Sequence, residues 1–165
     1  MMHRRTFVGL SLAAGAGALV SACAPEAPAG PTIRDIFNSN ASFSTLAQAL
    51  AQANVQSLGD TGPFTVFAPR NSAFAKLPEG ELERLMQPEN REELARILQL
   101  HVVPGSHPAS ALVNRTTTLV TLSGLSIIVD GFNGLNVGGV NVVQPDVMAS
   151  NGVIHVVDGV ILPPA

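Results

Sequence analysis

The sequence predicts an α+β domain whose helices are gathered on one part of a mostly antiparallel β-sheet. Three observations carry this reading. Between Thr32 and Leu100 the apolar residues recur at helical spacing. From Val102 onward the chain turns rich in Val, Ile, Thr and Gly, and the dipeptides Asp130-Gly131, Asn133-Gly134 and Asp158-Gly159 punctuate that second half. Apolar residues three and four apart share one face of a helix, β-branched runs suit a pleated sheet, and Asn-Gly or Asp-Gly tolerates the positive φ of tight hairpins.

Taken in order, Ile33, Ile36 and Phe37 mark a first helix. Leu46, Ala49, Leu50 and Ala53 mark a second, with Ser42 as its expected N-cap. Gly62-Pro63 then introduces the β-prone run Phe64-Thr65-Val66-Phe67, which ends at Pro69, a residue without the N–H that a ladder needs. Asn71 is expected to cap a short helix that carries Phe74 into the core. Residues 90–100 read as a further helix, with Glu92-Glu93 at its positive N-terminal end and Leu94, Ile97, Leu98 and His101 along one face. Strands follow over 119–120, 126–129, 140–143, 153–157 and 160–162, and Asn151-Gly152 reads as a turn before the fourth of them.

Residues 1–22 read as an export signal. Arg4-Arg5 precedes an apolar segment from Phe7 to Val20 that is too short and too small in side chain to anchor in a bilayer. Arg4-Arg5 with Phe7 resembles a twin-arginine signal. Val20-Ser21-Ala22-Cys23 resembles a bacterial lipobox, which implies that Cys23 is the lipid-modified first residue of the mature chain. Ala24 after that cysteine resembles an outer-membrane rather than an inner-membrane sorting signal. The Ala/Pro/Gly-rich residues 23–31 read as a tether, leaving 32–165 as one domain.

Composition narrows the function. Hydrophobic residues at 46% against 13% charged exclude a disordered chain, and one cysteine excludes an intrachain disulfide framework. Removal of 1–22 takes away two arginines and no acidic residue, moving the formal charge from −3 to −5. The seven remaining basic residues form no cluster, which argues against a nucleic-acid partner. The chain has no Trp or Tyr to build an aromatic platform for sugars or single strands.

Three segments together resemble a fasciclin domain: 62–74 (GPFTVFAPRNSAF), 97–105 (ILQLHVVPG) and 146–163 (DVMASNGVIHVVDGVILP). The resemblance spans nearly the whole chain from Thr32. It implies a wedge of helices packed on a β-sheet, used as a non-catalytic adhesion and interaction module that binds a protein or another envelope or matrix macromolecule. Within that pattern Thr65, Phe67, Pro69, Asn71, Phe74, His101, Asn151, Gly152 and His155 are structural motif residues. Leu100 departs from it, because the family commonly has Tyr before the central His.

Each candidate for chemistry has a structural counterpart. His101 and His155 lie in apolar surroundings, but two imidazoles fall short of the three or four ligands zinc requires, so they read as core histidines and no metal or cofactor is expected. A Ser-His-Asp relay can be assembled from Ser150, His155 and Asp146 or Asp158, yet no Gly-x-Ser-x-Gly elbow accompanies the serine. Asp146-Val147-Met148 resembles the Asp-Ile adhesion motif of animal fasciclin domains, with Val147 in the Ile place, and is the candidate partner-binding site. The turn-forming habit of Asp favours a different reading, in which Asp146 caps the turn after Val143 while Val147 and Met148 pack inward. The resulting expectation is a lipid-anchored envelope module of fasciclin type. A periplasmic carrier of a small apolar ligand and a periplasmic hydrolase are the alternatives.

Overall fold

The computed structural model describes residues 30–55 and 62–163; the expected export signal, Cys23 and all of the tether before residue 30 lie outside the described residues. Helix α1 (Ile33–Ser39) opens on a reciprocal cap. The Thr32 hydroxyl accepts from the Asp35 N–H at 3.3 Å, and the Asp35 carboxylate accepts from the Thr32 N–H at 2.9 Å. Two backbone donors that a first turn leaves open are thereby satisfied.

The expected caps fall on other residues. Asn40, not Ser42, accepts from a backbone N–H, that of Ser42 at 3.0 Å, and starts a 3₁₀ turn (Ala41–Phe43) that runs into α2 (Ser44–Gln52). The 3₁₀ turn moves the helical path upstream and leaves Ser42 inside it. Asn71 does not cap its own short helix α3 (Asn71–Phe74), where Arg70 takes the cap position without a side-chain bond. Its side-chain oxygen instead accepts from the Thr45 N–H at 3.2 Å, and its amide donates to the Ala41 carbonyl and the Ser44 hydroxyl. Asn71 therefore caps α2 from a distance and fixes it to the end of the first strand.

That strand, β1 (Phe64–Pro69), lies between β2 (Val102–Pro104), antiparallel to it, and β7 (Gly152–Val157), parallel to it. The chain between β1 and β2 supplies α3, α4 (Glu81–Leu85) and α5 (Arg91–Leu100). After β2 come α6 (Ala109–Leu112), β3 (Thr116–Val120), β4 (Ser126–Asp130), β5 (Asn136–Val137) and β6 (Val140–Ala149). The seven strands form one sheet in the order β2-β1-β7-β6-β5-β4-β3, antiparallel at every described pair except β1 with β7. Beyond β3, the Leu122 N–H donates to the Val102 carbonyl at 2.8 Å, so the two edges of the sheet approach each other.

Alternation along β1 and β7 feeds two cores. Val66, Ala68, Ile154 and Val156 face the helices and pack with Ile33, Phe37, Leu46, Leu50, Phe74 and Leu98. Phe67 and Val157 face the other way, toward Leu100, Val103, Leu112, Leu119, Ile127 and Val129. Leu100, in the place the family gives to Tyr, is buried there as a plain hydrophobe.

The strand expected over 160–162 does not form, and Asp158-Gly159 closes no hairpin. β6 runs ten residues rather than four, and β2, α4 and α6 lie outside what the sequence pattern indicated. Of the three dipeptides Asp130-Gly131, Asn133-Gly134 and Asp158-Gly159, only Asn133-Gly134 has its glycine at positive φ, +92°.

His101 holds three of these parts together. It ends α5, and its carbonyl accepts from the Phe67 N–H at 2.8 Å. On its fully buried ring, Nδ1 donates to the Ile97 carbonyl at 2.7 Å and Nε2 accepts from the Ile161 N–H at 3.0 Å. Ile161, the centre of the expected last strand, is thus held by an imidazole instead of a ladder. Accepting at Nε2 requires the neutral ring, and burial lowers its pKa from 6.5 to about 4.

Depression of a histidine pKa in the fold means that the unfolded chain binds more protons, so stability is full above about pH 6.5 and falls as the pH drops toward about 4. The His101 contribution to that loss is expected to be about 2–3 kcal/mol by about pH 4.5. Urea unfolding across this window checks it, with a flatter profile expected for His101→Gln. His101→Ala is expected to cost about 2–4 kcal/mol at neutral pH, through the cavity and the two stranded backbone groups.

Candidate functional site

Three of the polar residues named in the sequence, Thr65, His155 and Asp146, converge on one region, the second face of the β1–β7 pair where residues 105–109 cross it. Thr65 is fully buried on β1. Its hydroxyl donates to the Gly105 carbonyl and accepts from the His107 N–H, each at 2.8 Å. His155, opposite Phe67 in the parallel ladder, stacks on the Phe67 ring at 5.5 Å between centroids. Its Nε2 donates to the His107 carbonyl at 2.8 Å and its Nδ1 accepts from the Asp146 N–H at 3.3 Å. Burial is the main cause that lowers the His155 pKa, against the opposing pull of the His107 carbonyl and the Asp146 carboxylate.

Asp146 reaches this network because β6 is irregular. Between Val142 and Val147 the pairing with β7 slips twice, Gln144 facing Val156 and Val147 facing Ile154, and Asp146 takes φ +56°. Bulges admit Pro145 within a strand and redirect the side chains that follow. The Asp146 carboxylate accepts from the Ala109 N–H at 2.7 Å, at the start of α6. It caps that turn and not the one after Val143. Val147 packs against the helix-side core, as the inward reading expects. Met148 does not: it is 67% exposed, the most exposed of the large hydrophobic side chains described.

Asn151 and Gly152 shape the β6–β7 turn. The Asn151 side chain accepts from the Ile33 N–H at 2.9 Å, at the start of α1, and its carbonyl accepts from the Phe64 N–H at 3.1 Å. A Cβ at Gly152 would collide with the Phe64 carbonyl, so this position is set by close approach of β1. Pro69 closes β1 opposite Val157, and Phe74 is buried in the helix-side core.

The Ser-His-Asp relay is not assembled. Both ring nitrogens of His155 are engaged by backbone groups, Asp158 pairs with Lys76 at 2.9 Å, and the buried Ser150 hydroxyl has no hydrogen-bond partner among the described residues. No group of three or more His, Cys, Asp or Glu suited to a metal ion occurs among the described residues. Residues that the sequence analysis left out, Thr32, Asn40 and Ala109, prove to be anchor points. Thr32-x-x-Asp35 is a legible capping box, whereas nothing local marks Ala109 as a partner of Asp146.

Asp146→Ala is therefore expected to cost about 1–2 kcal/mol, as loss of a helix cap does. Asp146→Asn should retain most of that stability, since Asn accepts the same N–H and tolerates positive φ. Denaturant melts of the two variants check this, and equal losses would contradict the capping role.

The Fasciclin domain model matches residues 41–163. The protein sll1483 of Synechocystis is 45% identical over 135 residues, covering 81% of this chain and 74% of that protein. Immunogenic protein MPB70 of Mycobacterium bovis is 35% identical over 178 residues, covering 96% of this chain and 89% of that one. Human periostin is 33% identical over 138 residues, covering 81% of this chain and 16% of periostin. Among solved structures, a FAS1 domain pair from the insect cell adhesion molecule fasciclin I superposes with a TM-score of 0.71 at 24% identity, covering 81% of this chain and 51% of that chain. With the two-core wedge and the motif residues placed as above, this chain is a member of the fasciclin domain family.

Proposed function

We propose that this chain is an exported, lipid-anchored module of the cell envelope that binds a macromolecular partner and catalyses nothing. The observation that carries this reading is where its polar chemistry is spent. The ring nitrogens of His101 and His155 and the carboxylate of Asp146 all bond to backbone groups within the fold. What the domain offers outward is a sheet face. Along β3 and β4 the outward positions are Thr116, Thr118, Val120, Ser126 and Ile128, with Val120 and Ile128 more than half exposed and Phe132 equally so in the turn beyond. Exposed apolar side chains set among hydroxyls are the makings of a protein contact. Kinship with a fold found in a cell adhesion molecule supports the same assignment.

For attachment, the reading rests on Cys23 and the segment before it. One acyl chain binds membranes only marginally, so stable attachment requires two or more. Cys23→Ser is expected to move the protein from the membrane to the soluble envelope fraction. Unmodified wild-type protein in the soluble fraction would contradict the anchor. Arg4→Lys with Arg5→Lys is expected to leave a folded, protease-resistant precursor inside the cell, and normal export of that variant would point to the general secretory route.

For binding, Val120→Glu with Ile128→Glu is expected to weaken association with isolated cell envelopes at least about tenfold, the loss of a central apolar contact. Both side chains point outward, so the thermal midpoint should stay near that of the wild type. Unchanged association would remove this face as the partner surface.

A further inference from the structure

The chain enters the domain at one defined end. The Ser150 N–H, in the β6–β7 turn, donates to the Pro31 carbonyl at 3.0 Å, which pins the tether's last residues beside that turn. Next to this entry point lies a groove of about 420 Å³ whose lining includes Pro63, Ser106, Met148, Ala149 and Val153. None of its described lining residues carries a charge. Met148 stands at its rim, exposed in spite of pairing with the buried Val153. The opposite end of β7 is different in kind: there Lys76 pairs with Asp158 at the surface, next to Arg70.

We infer that the groove end of the domain lies against the lipid bilayer, with Met148 in contact with it. This rests on the anchor at Cys23 proposed above. Six residues lie between Cys23 and Gly30, and the seven steps from one to the other span at most about 25 Å when fully extended, which is close to the roughly 20 Å length of a six-residue strand. The entry end is thus confined near the membrane, and confinement turns a second contact into an intramolecular one, so that a weak apolar contact is enough to orient the domain. Of the two ends of β7, the one with the uncharged groove lining loses less where that lining meets the headgroup and acyl boundary, while at the other the Lys76–Asp158 pair would have to shed water from its charges. The bilayer, and not a protein, is the occupant that the tether brings to this groove. The outward face of β3 and β4 is left for partners.

The absence of Trp and Tyr makes a single introduced tryptophan a clean reporter. Met148→Trp and Lys76→Trp, each made in the full lipidated chain, are placed in phosphatidylcholine vesicles with and without bromine on the upper acyl carbons. Expected is a blue shift and loss of at least about half the emission for Met148→Trp in brominated vesicles, with Lys76→Trp unaffected. Equal quenching at the two positions, or none at Met148→Trp while the protein still floats with the vesicles, overturns the orientation and leaves the anchor standing. Failure to float overturns the anchor and the orientation with it.

Discussion

The parallel pairing of β1 with β7 is the constraint on which the rest of this domain depends. It joins Phe64 to Gly152 and Pro69 to Val157, residues far apart in the chain, and places the core built with α1–α5 on one face and the core built with α6 and β3–β5 on the other. A strand pair covered on both faces has to be apolar nearly throughout. Both strands meet that demand apart from Thr65 and His155, and both of those lie on the face away from the helices. Their polar atoms have no access to bulk water, so each must find a partner inside. The loop 105–109 supplies three of those four partners and the Asp146 N–H the fourth, which is why the loop is held against the sheet although it has little hydrophobic content of its own.

Imidazole suits this task better than any other side chain. In its neutral form it carries one donor and one acceptor on well-separated ring atoms, so a single residue bridges two backbone segments that run in different directions. His101 links the end of α5 to the segment after β7, and His155 links the loop at His107 to the bulge at Asp146. Both arrangements demand a neutral ring, and burial enforces it. The same burial removes the histidines from acid–base work near neutral pH, because a base whose nitrogens are both bonded to backbone has no lone pair to offer a substrate. Stability and chemical silence have one cause here.

Much of this was legible in the sequence, and what was missed has a physical pattern. Helix faces and buried strands follow from periodicity, as α1, α2, α5, β1 and β7 illustrate. The class of the fold followed from the change of pattern at Val102. Caps are not legible where the accepting side chain and the helix it serves are distant in sequence: Asn71 and Asn151 are cap-forming residues, but α2 and α1 use them from across the fold. The end of β6 was lost because Gln144-Pro145-Asp146 looks like a strand terminator, whereas two bulges absorb it. The segment 160–162 has strand composition and yet is held by His101, a contact that no local pattern encodes. Within the candidate site His155 is legible as a residue type in apolar surroundings and Thr65 through the resemblance to fasciclin domains, while their common meeting place at residues 105–109 is not.

The bulges in β6 also explain how one strand serves both scaffold and surface. Strict alternation would send residues 144, 146 and 148 to one face and 145, 147 and 149 to the other. Each extra residue on β6 breaks that rule, so Asp146 turns back to cap α6, Val147 seals the helix-side core, and Met148 is left at the rim of a groove over Val153. The three consecutive residues that resemble an adhesion motif are thereby given three unrelated tasks. Along the sequence they present a carboxylate that caps α6, a half-buried valine and an exposed methionine. The side chains left at the surface of this strand are those that neither core nor the histidine network has claimed.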